Sequence, residues 1–257
     1  MTVKRYSDYD PFAWVYNKHW GDRFTPTALA VMEELLLPRL PVQARILDLC
    51  CGTGQLAWVL SERGYQVTGI DGSEEMLHFA RENAPGAKFI LDDARSFKLP
   101  GLYHGVICVF DSLNHIMSVE ELTSVFRSVS SALRENGLFL FDLNLEGGYK
   151  VHWNGVFGII EDDHVCVTRN SYDTESKTAR FEATIFYLQE GWQRSDVTLL
   201  QKCYSVTEVR RALKVAGLAD VHTYAYNKQE GLQELTGGAE RAFFISQKPD
   251  KRTGEKS

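Results

Sequence analysis

No two cysteines in this chain stand at Cys-x-x-Cys spacing, and the five present, at positions 50, 51, 108, 166 and 203, are odd in number. Neither a disulfide framework nor a zinc site is expected from that pattern. The opening MTVKRYSDYD contains no apolar stretch of the kind that directs secretion. The longest apolar runs, such as Val106–Phe110, are far too short to cross a bilayer. These absences predict a reduced, cytoplasmic protein without a membrane partner. An excess of basic residues is also missing. The 28 Lys and Arg are outnumbered by 34 Asp and Glu, a net charge of −6 that makes nucleic acid a poor first guess as partner. Internal repeats and low-complexity segments are absent too.

The 257 residues suit one to two domains, enough to bury roughly 70–75% of the unfolded surface without covalent staples. Hydrophobic residues at 44% and charged residues at 24% are ordinary for a globular chain, which excludes wholesale disorder. The amino-terminal segment is dense in aromatics: Tyr9, Phe12, Trp14, Tyr16, Trp20 and Phe24. A helix is predicted next, with Thr25 as N-cap, Pro26 at its first position and Leu29, Met32, Leu35 and Leu36 on one face. Strands are then predicted at Arg45–Leu49, Tyr65–Ile70, Ala87–Leu91, Gly105–Phe110 and Leu138–Leu143. Helices alternate with them, begun by Leu56, by Ser73 and by a Ser118/Glu121 capping box, the last of these closed by Gly137. This alternation predicts an α/β, doubly wound, mostly parallel sheet of seven strands. Three long antiparallel strands and no helix are expected over 151–204. A second capping box, Ser205/Glu208, then opens a helix that runs to Gly217, and strands Val221–Tyr226 and Ala242–Gln247 finish the sheet. The expected organisation is an amino-terminal aromatic segment and helix at 1–40 over the ligand loop, a core over 41–150 and 205–247, a β-rich insertion at 151–204 over the substrate site and a flexible tail over 248–257.

The sharpest motif is Ile46-Leu47-Asp48-Leu49-Cys50-Cys51-Gly52-Thr53-Gly54. A strand, a tight glycine turn and a helix leave bare backbone against which a ligand can lie. Asp71, seventeen residues after Gly54 at the end of the second strand, is placed to accept from both hydroxyls of a ribose. Nicotinamide dinucleotides and S-adenosylmethionine both use these signals. Asp48, four residues before the first glycine, favours the second, because a carboxylate suits an ammonium group better than a phosphate. Asp93, after the third strand, can accept from an adenine amine, and the amino-terminal aromatics can attract a sulfonium through their ring faces.

ILDLCCGTGQ, GIDGSEEML, LDDARSF and GVICVFDSLNHI together resemble the successive motifs of class I S-adenosylmethionine-dependent methyltransferases. YDPFAWVYN and the β-rich insertion are similar to a narrower group, the small-molecule N-methyltransferases of amino sugars and glycine. The resemblance implies S-adenosylmethionine as cofactor, S-adenosylhomocysteine as product and a small-molecule acceptor. It places Asp48, Cys50, Gly52 and Gly54 at the methionine part, and Asp71, Gly72 and Met76 at the ribose and adenine. Asp93 and Ala94 would meet the adenine edge, and Val109 and Phe110 would approach the cofactor through backbone. Tyr16 and Trp20 would lie over the methionine end. Cys50 and Cys51 depart from the commoner Gly or Ala beside this loop. For catalysis His115 is the expected proton acceptor or orienting group, with Asp111 and Tyr16 beside it. The Asp/Asn-Pro-Pro-aromatic signature of enzymes that methylate nucleic-acid amines is absent. O-methylation of a metabolite hydroxyl, non-catalytic cofactor binding in a regulatory protein and nicotinamide-dependent oxidoreduction are the rival readings. A homodimer through the β insertion is a further expectation.

Overall fold

The computed structural model describes residues 6–227 and 229–250, without the side chains of Asp220, Val221 and Asn227. Its larger sheet takes β1 (Arg45–Leu49), β2 (Gln66–Asp71), β3 (Lys88–Leu91), β4 (Tyr103–Cys108), β5 (Leu133–Asn144), and three later strands. These are β10 (Ala219–Asn227), β11 (Gly231–Glu234) and β12 (Arg241–Gln247). The strand order is β11-β10-β12-β5-β4-β1-β2-β3. Strands β1 to β5 pair in parallel, whereas β12 joins β5 and β10 antiparallel.

Alternation along the central strands sends side chains to two cores. Phe139, Phe141 and Phe244 pack on one face against α5 (Val119–Ala132) and α7 (Val206–Val215), with Phe126 and Leu213 among their neighbours. Ile46, Leu140, Phe243 and Ile245 pack on the other face, under α2 (Thr25–Leu35) and α3 (Gln55–Glu62). Both faces of the sheet are covered, as a parallel sheet requires. Among the described residues no helix is long and apolar enough to cross a membrane.

Among the described residues the expected seven strands of this sheet are eight. The added strand, β11, is a four-residue edge piece, Gly-Leu-Gln-Glu, too short and too polar to show an alternating pattern. Thr25 does not cap α2. It is the first helical residue, and its hydroxyl donates back to the Gly21 carbonyl, while Phe24 holds the cap position without a side-chain bond. Gly137 does not close α5, which ends at Ala132 and passes directly into β5. A Cβ on Gly137 would stand 2.9 Å from the Arg134 carbonyl oxygen and 3.1 Å from that of Tyr103. Ser118 accepts from the Glu121 N–H, but only Ser205 and Glu208 form the reciprocal box. Of the expected tail, residues 251–257 lie outside the described residues. Lys248 is held on β5: its N–H donates to the Gly137 carbonyl and its ammonium to that of Leu133.

The excursion between β5 and α7 opens with helix α6 (Glu146–His152), one turn before the stretch read as helix-free. A four-stranded antiparallel sheet follows: β6 (Gly155–Ile160), β7 (His164–Asp173), β8 (Thr178–Leu188) and β9 (Trp192–Lys202). Strand β6 was not expected, because Gly155 and Gly158 break its pattern. The inner face of this sheet presents Cys166, Ala183, Ile185, Val197 and Leu199. It packs on Phe12 and Val15, which flank and begin α1 (Ala13–His19). The amino-terminal segment is thereby held between the two sheets. One side chain ties the two ends of the excursion together. Asn114 donates to the carbonyls of Asn144 and Lys202, the last residues of β5 and β9, and accepts from the Asn144 N–H.

Candidate active site

The loop after β1 has left-handed backbone at Cys50 (φ 59°), Gly52 (φ 54°) and Gly54 (φ 83°) before α3 begins. The two glycines serve different ends. A Cβ on Gly52 would meet nothing closer than the Tyr16 ring at 3.8 Å, so its bare backbone faces open space. A Cβ on Gly54 would stand 2.9 Å from the Cα of Ala80 on α4 (Glu74–Asn83), so this glycine lets two helices approach.

Asp71 ends β2 and braces that loop. One of its carboxylate oxygens accepts from the Gly52 N–H and the other from the Ser73 N–H, both at 2.9 Å. Burial pushes its pKa up, and those two N–H groups work against the rise. Asp48, on β1, is 2% exposed, and its Oδ2 has no partner. Burial first and the neighbouring Asp71 second push its pKa up to about 8. A buried carboxylate oxygen without a donor is costly and marks a place for a cation.

The amino-terminal segment closes this end. Its Tyr6 N–H donates to the Gly72 carbonyl, and Tyr6 and Ser7 crowd the position of a Gly72 Cβ. Further along, the Tyr9 hydroxyl lies 2.9 Å from His115 Nε2. His115 Nδ1 lies 2.8 Å from the Leu200 carbonyl oxygen on β9, so Nδ1 carries the proton and Nε2 the lone pair. Burial pushes the His115 pKa down, against the pull of Asp111, which keeps the ring neutral. Burial likewise pushes the Tyr9 and Tyr16 hydroxyls up, so both keep their protons.

Together these groups surround a cavity of ≈ 520 Å³, the size of a small-molecule site. Of the residues singled out in the sequence, Tyr16, Asp48, Cys50, Gly52, Asp71 and Gly72 line it. So do Met76, Asp93, Ala94, Val109, Phe110 and His115. Three do not. Gly54 is turned to Ala80. Trp20 packs on Phe12, with ring centroids 5.2 Å apart and the Arg23 guanidinium over its face. Asp111 points away from the cavity toward Arg241 and Gln201. Asp93 is in the wall but already engaged. Burial would raise its pKa, but hydrogen bonds from the Arg95 guanidinium and N–H outweigh that and hold it low.

Tyr6, Tyr9, Arg95, Met117 and Thr198–Leu200 of β9 also line the cavity and were not singled out. Tyr9 had a signal, since it belongs to the same amino-terminal aromatic cluster as Tyr16, and the two rings meet edge to face at 6.2 Å. The insertion was expected over the site, but which β9 residues reach the cavity had no local signal, because that depends on how the second sheet folds back.

A family model described as a methyltransferase domain matches residues 46–137. A protein of Bacillus subtilis (strain 168) named "Putative methyltransferase YqeM" is 30% identical over 217 residues, covering 81% of this chain and 86% of that one. The dTDP-3-amino-3,6-dideoxy-alpha-D-glucopyranose N,N-dimethyltransferase of Streptomyces fradiae is 28% identical over 201 residues, covering 74% of this chain and 76% of that one. Among solved structures, an S-adenosylmethionine-dependent methyltransferase from Clostridium acetobutylicum superposes with a TM-score of 0.77 at 22% identity, over 95% of this chain and 100% of that one.

Proposed function

Because the chain belongs to the class I S-adenosylmethionine-dependent methyltransferases, we propose that it methylates an amine nitrogen of a small molecule. The cavity fits the cofactor on its own chemistry. The partnerless Asp48 Oδ2 suits an α-ammonium group, and the uncovered Gly52 backbone leaves room beside it. Each Asp71 oxygen keeps a second lone pair for a ribose hydroxyl. Met76 and Ala94 offer apolar surface to the adenine, with the Asp93 backbone and carboxylate at its edge. Tyr16 lines the cavity beside Gly52, where its ring can attract a sulfonium. The cofactor supplies a methyl group on a positively charged sulfur that leaves as a neutral thioether.

What remains for the protein is alignment, exclusion of water and a place for the acceptor's proton. The observation that carries the amine reading is the Tyr9–His115 pair in the cavity wall. A neutral imidazole with its lone pair on Nε2, 2.9 Å from a phenol, can take one proton. As the ammonium of an acceptor gives a proton to the Tyr9 oxygen, the Tyr9 proton passes to Nε2, and a free amine faces the methyl group. The likeness to the Streptomyces fradiae amino-sugar enzyme supports the same acceptor class. The test is turnover with S-adenosylmethionine on amino sugars and small amino acids, each paired with its hydroxyl analogue. Methylation of the amines alone is expected. Turnover of the hydroxyl analogues only, or of neither set, overturns the reading.

Asp48 adds a pH dependence to the binding step. With a folded pKa of about 8 against an unfolded value near 3.8, the ligand-free protein holds a proton there that the unfolded chain has lost. The stability this contributes is complete below the unfolded value and is lost as pH rises through about 8. Accepting an ammonium requires the ionised form, so binding releases that proton. Affinity for S-adenosylhomocysteine is therefore expected to rise by up to about tenfold per pH unit from 6 toward 8. Calorimetry across that range, with Asp48→Asn as the control that flattens the dependence, checks it. A slope equal in both proteins rejects the assignment.

A further inference from the structure

Arg241, the first residue of β12, reaches neither the cavity nor the solvent freely. Its Nη2 donates to Asp111 Oδ1 at 2.7 Å, its Nη1 donates to Asp142 Oδ2, and its guanidinium lies 4.5 Å above the centre of the Phe24 ring. Asp142 Oδ2 also accepts from the Asp111 N–H. This clamp holds a strained turn, because Phe110 (φ 67°) and Asp111 (φ 48°) are consecutive non-glycine residues in left-handed backbone.

We propose that Arg241 is a positioning residue for methyl transfer: through Asp111 and Gln201 it reinforces the His115 tautomer that the Leu200 carbonyl selects, with the proton on Nδ1 and the lone pair on Nε2. The inference rests on the reading of His115 given above. Its logic runs along one chain of hydrogen bonds whose polarity is set link by link. Asp111, a carboxylate paired with a guanidinium, accepts from it and from Gln201. Gln201, buried on the inner face of β9, must therefore turn its amide nitrogen to Asp111 Oδ2, at 2.6 Å, and its carbonyl oxygen to the Tyr149 hydroxyl, at 2.8 Å. The second N–H of that amide then points to His115 Nε2, 3.1 Å away. A donor at Nε2 demands a lone pair there, which leaves the proton on Nδ1, where the Leu200 carbonyl accepts it. With the amide reversed, its oxygen would face Nε2 and compete with the Leu200 carbonyl for the ring proton, drawing part of the population to the tautomer whose Nε2 cannot receive one. The groups that face Arg241 are Asp111, Asp142 and the Phe24 ring. Those that face His115 are Tyr9, Gln201 and the Leu200 carbonyl. Burial pushes Asp142 up to about 6 against the pull of Arg241, so the clamp carries its full charge only above that pH.

The test compares Arg241→Gln, Arg241→Lys, Gln201→Met, His115→Ala and the Arg241→Gln/His115→Ala double variant in the full chain. The readouts are kcat, KM and pH profile with a methylated amine, S-adenosylhomocysteine affinity, and the ¹⁵N signature of the His115 imidazole. Arg241→Gln is expected to lower kcat about tenfold or more, to leave cofactor affinity nearly unchanged, and to mix the two His115 tautomers. Arg241→Lys recovers part of the rate. Gln201→Met, which leaves the clamp in place, reproduces the loss and decides the matter if Arg241→Gln does not fold. The double variant is no slower than His115→Ala alone. If His115→Ala loses turnover while Gln201→Met and Arg241→Gln keep the wild-type pH profile and a single tautomer, the role of Arg241 is refuted and that of His115 stands. If His115→Ala is fully active, the reading of His115 itself falls.

Discussion

Replacing Asp71 with alanine is expected to weaken S-adenosylhomocysteine binding about tenfold to a hundredfold, about 1–3 kcal/mol, and to destabilise the ligand-free protein as well. The carboxylate acts in two directions. Toward the cavity, its free lone pairs are the acceptors left for a ribose. Toward the protein, it satisfies the N–H groups of Gly52 and Ser73, which start the glycine turn and cap α4. Alanine leaves both donors buried without an acceptor, at about 1–3 kcal/mol each. The relief of burying a carboxylate whose pKa is already raised offsets part of that cost. Calorimetric titration and urea unfolding measure the two effects separately. Unchanged affinity would remove Asp71 from the binding site, and unchanged stability would remove it from the loop.

The second large effect is in the core. Phe141 is fully buried, with the rings of Phe139 and Phe244 stacked at 4.6 and 4.8 Å and Phe126 at 5.3 Å. Phe141→Ala opens a void that stacked neighbours on its own strand and on β12 cannot fill without moving the sheet. A loss of about 3–5 kcal/mol is expected. Since Phe141 is not among the cavity residues, cofactor affinity of the folded fraction should persist. A shift in the urea midpoint worth less than about 1 kcal/mol would mean that the cluster collapses around the gap.

The sequence made the core of the fold legible because a buried parallel strand is a short apolar run. Arg45–Leu49 was placed to the residue. It was least legible where pattern is weak, as in the four residues of β11 or the glycine-broken β6. The loop between strand and helix was readable for a similar reason: glycines at left-handed positions and an acid at a strand end are local signals. Trp20 misled because an aromatic stripe in α1 faces two ways, Tyr16 toward the cavity and Trp20 into the packing with Phe12. Asp111 misled because its partner, Arg241, lies 130 residues away and no local pattern announces it. Gln201 was hidden in a strand, where only its place on the inner face, in step with Val197 and Leu199, sets it apart from a surface residue.

The bonds from Asn114 to Asn144 and Lys202 place both feet of the second sheet on a single threshold. A chain that departs and returns at one point can lengthen, shorten or change sequence between those feet without altering the distances the parallel sheet must keep. On the proposed reading, the part of the molecule that would grip the nucleoside and the part that would meet the acceptor are therefore free to diverge at different speeds. New acceptors become reachable by rewriting some sixty residues while the older machinery stays intact.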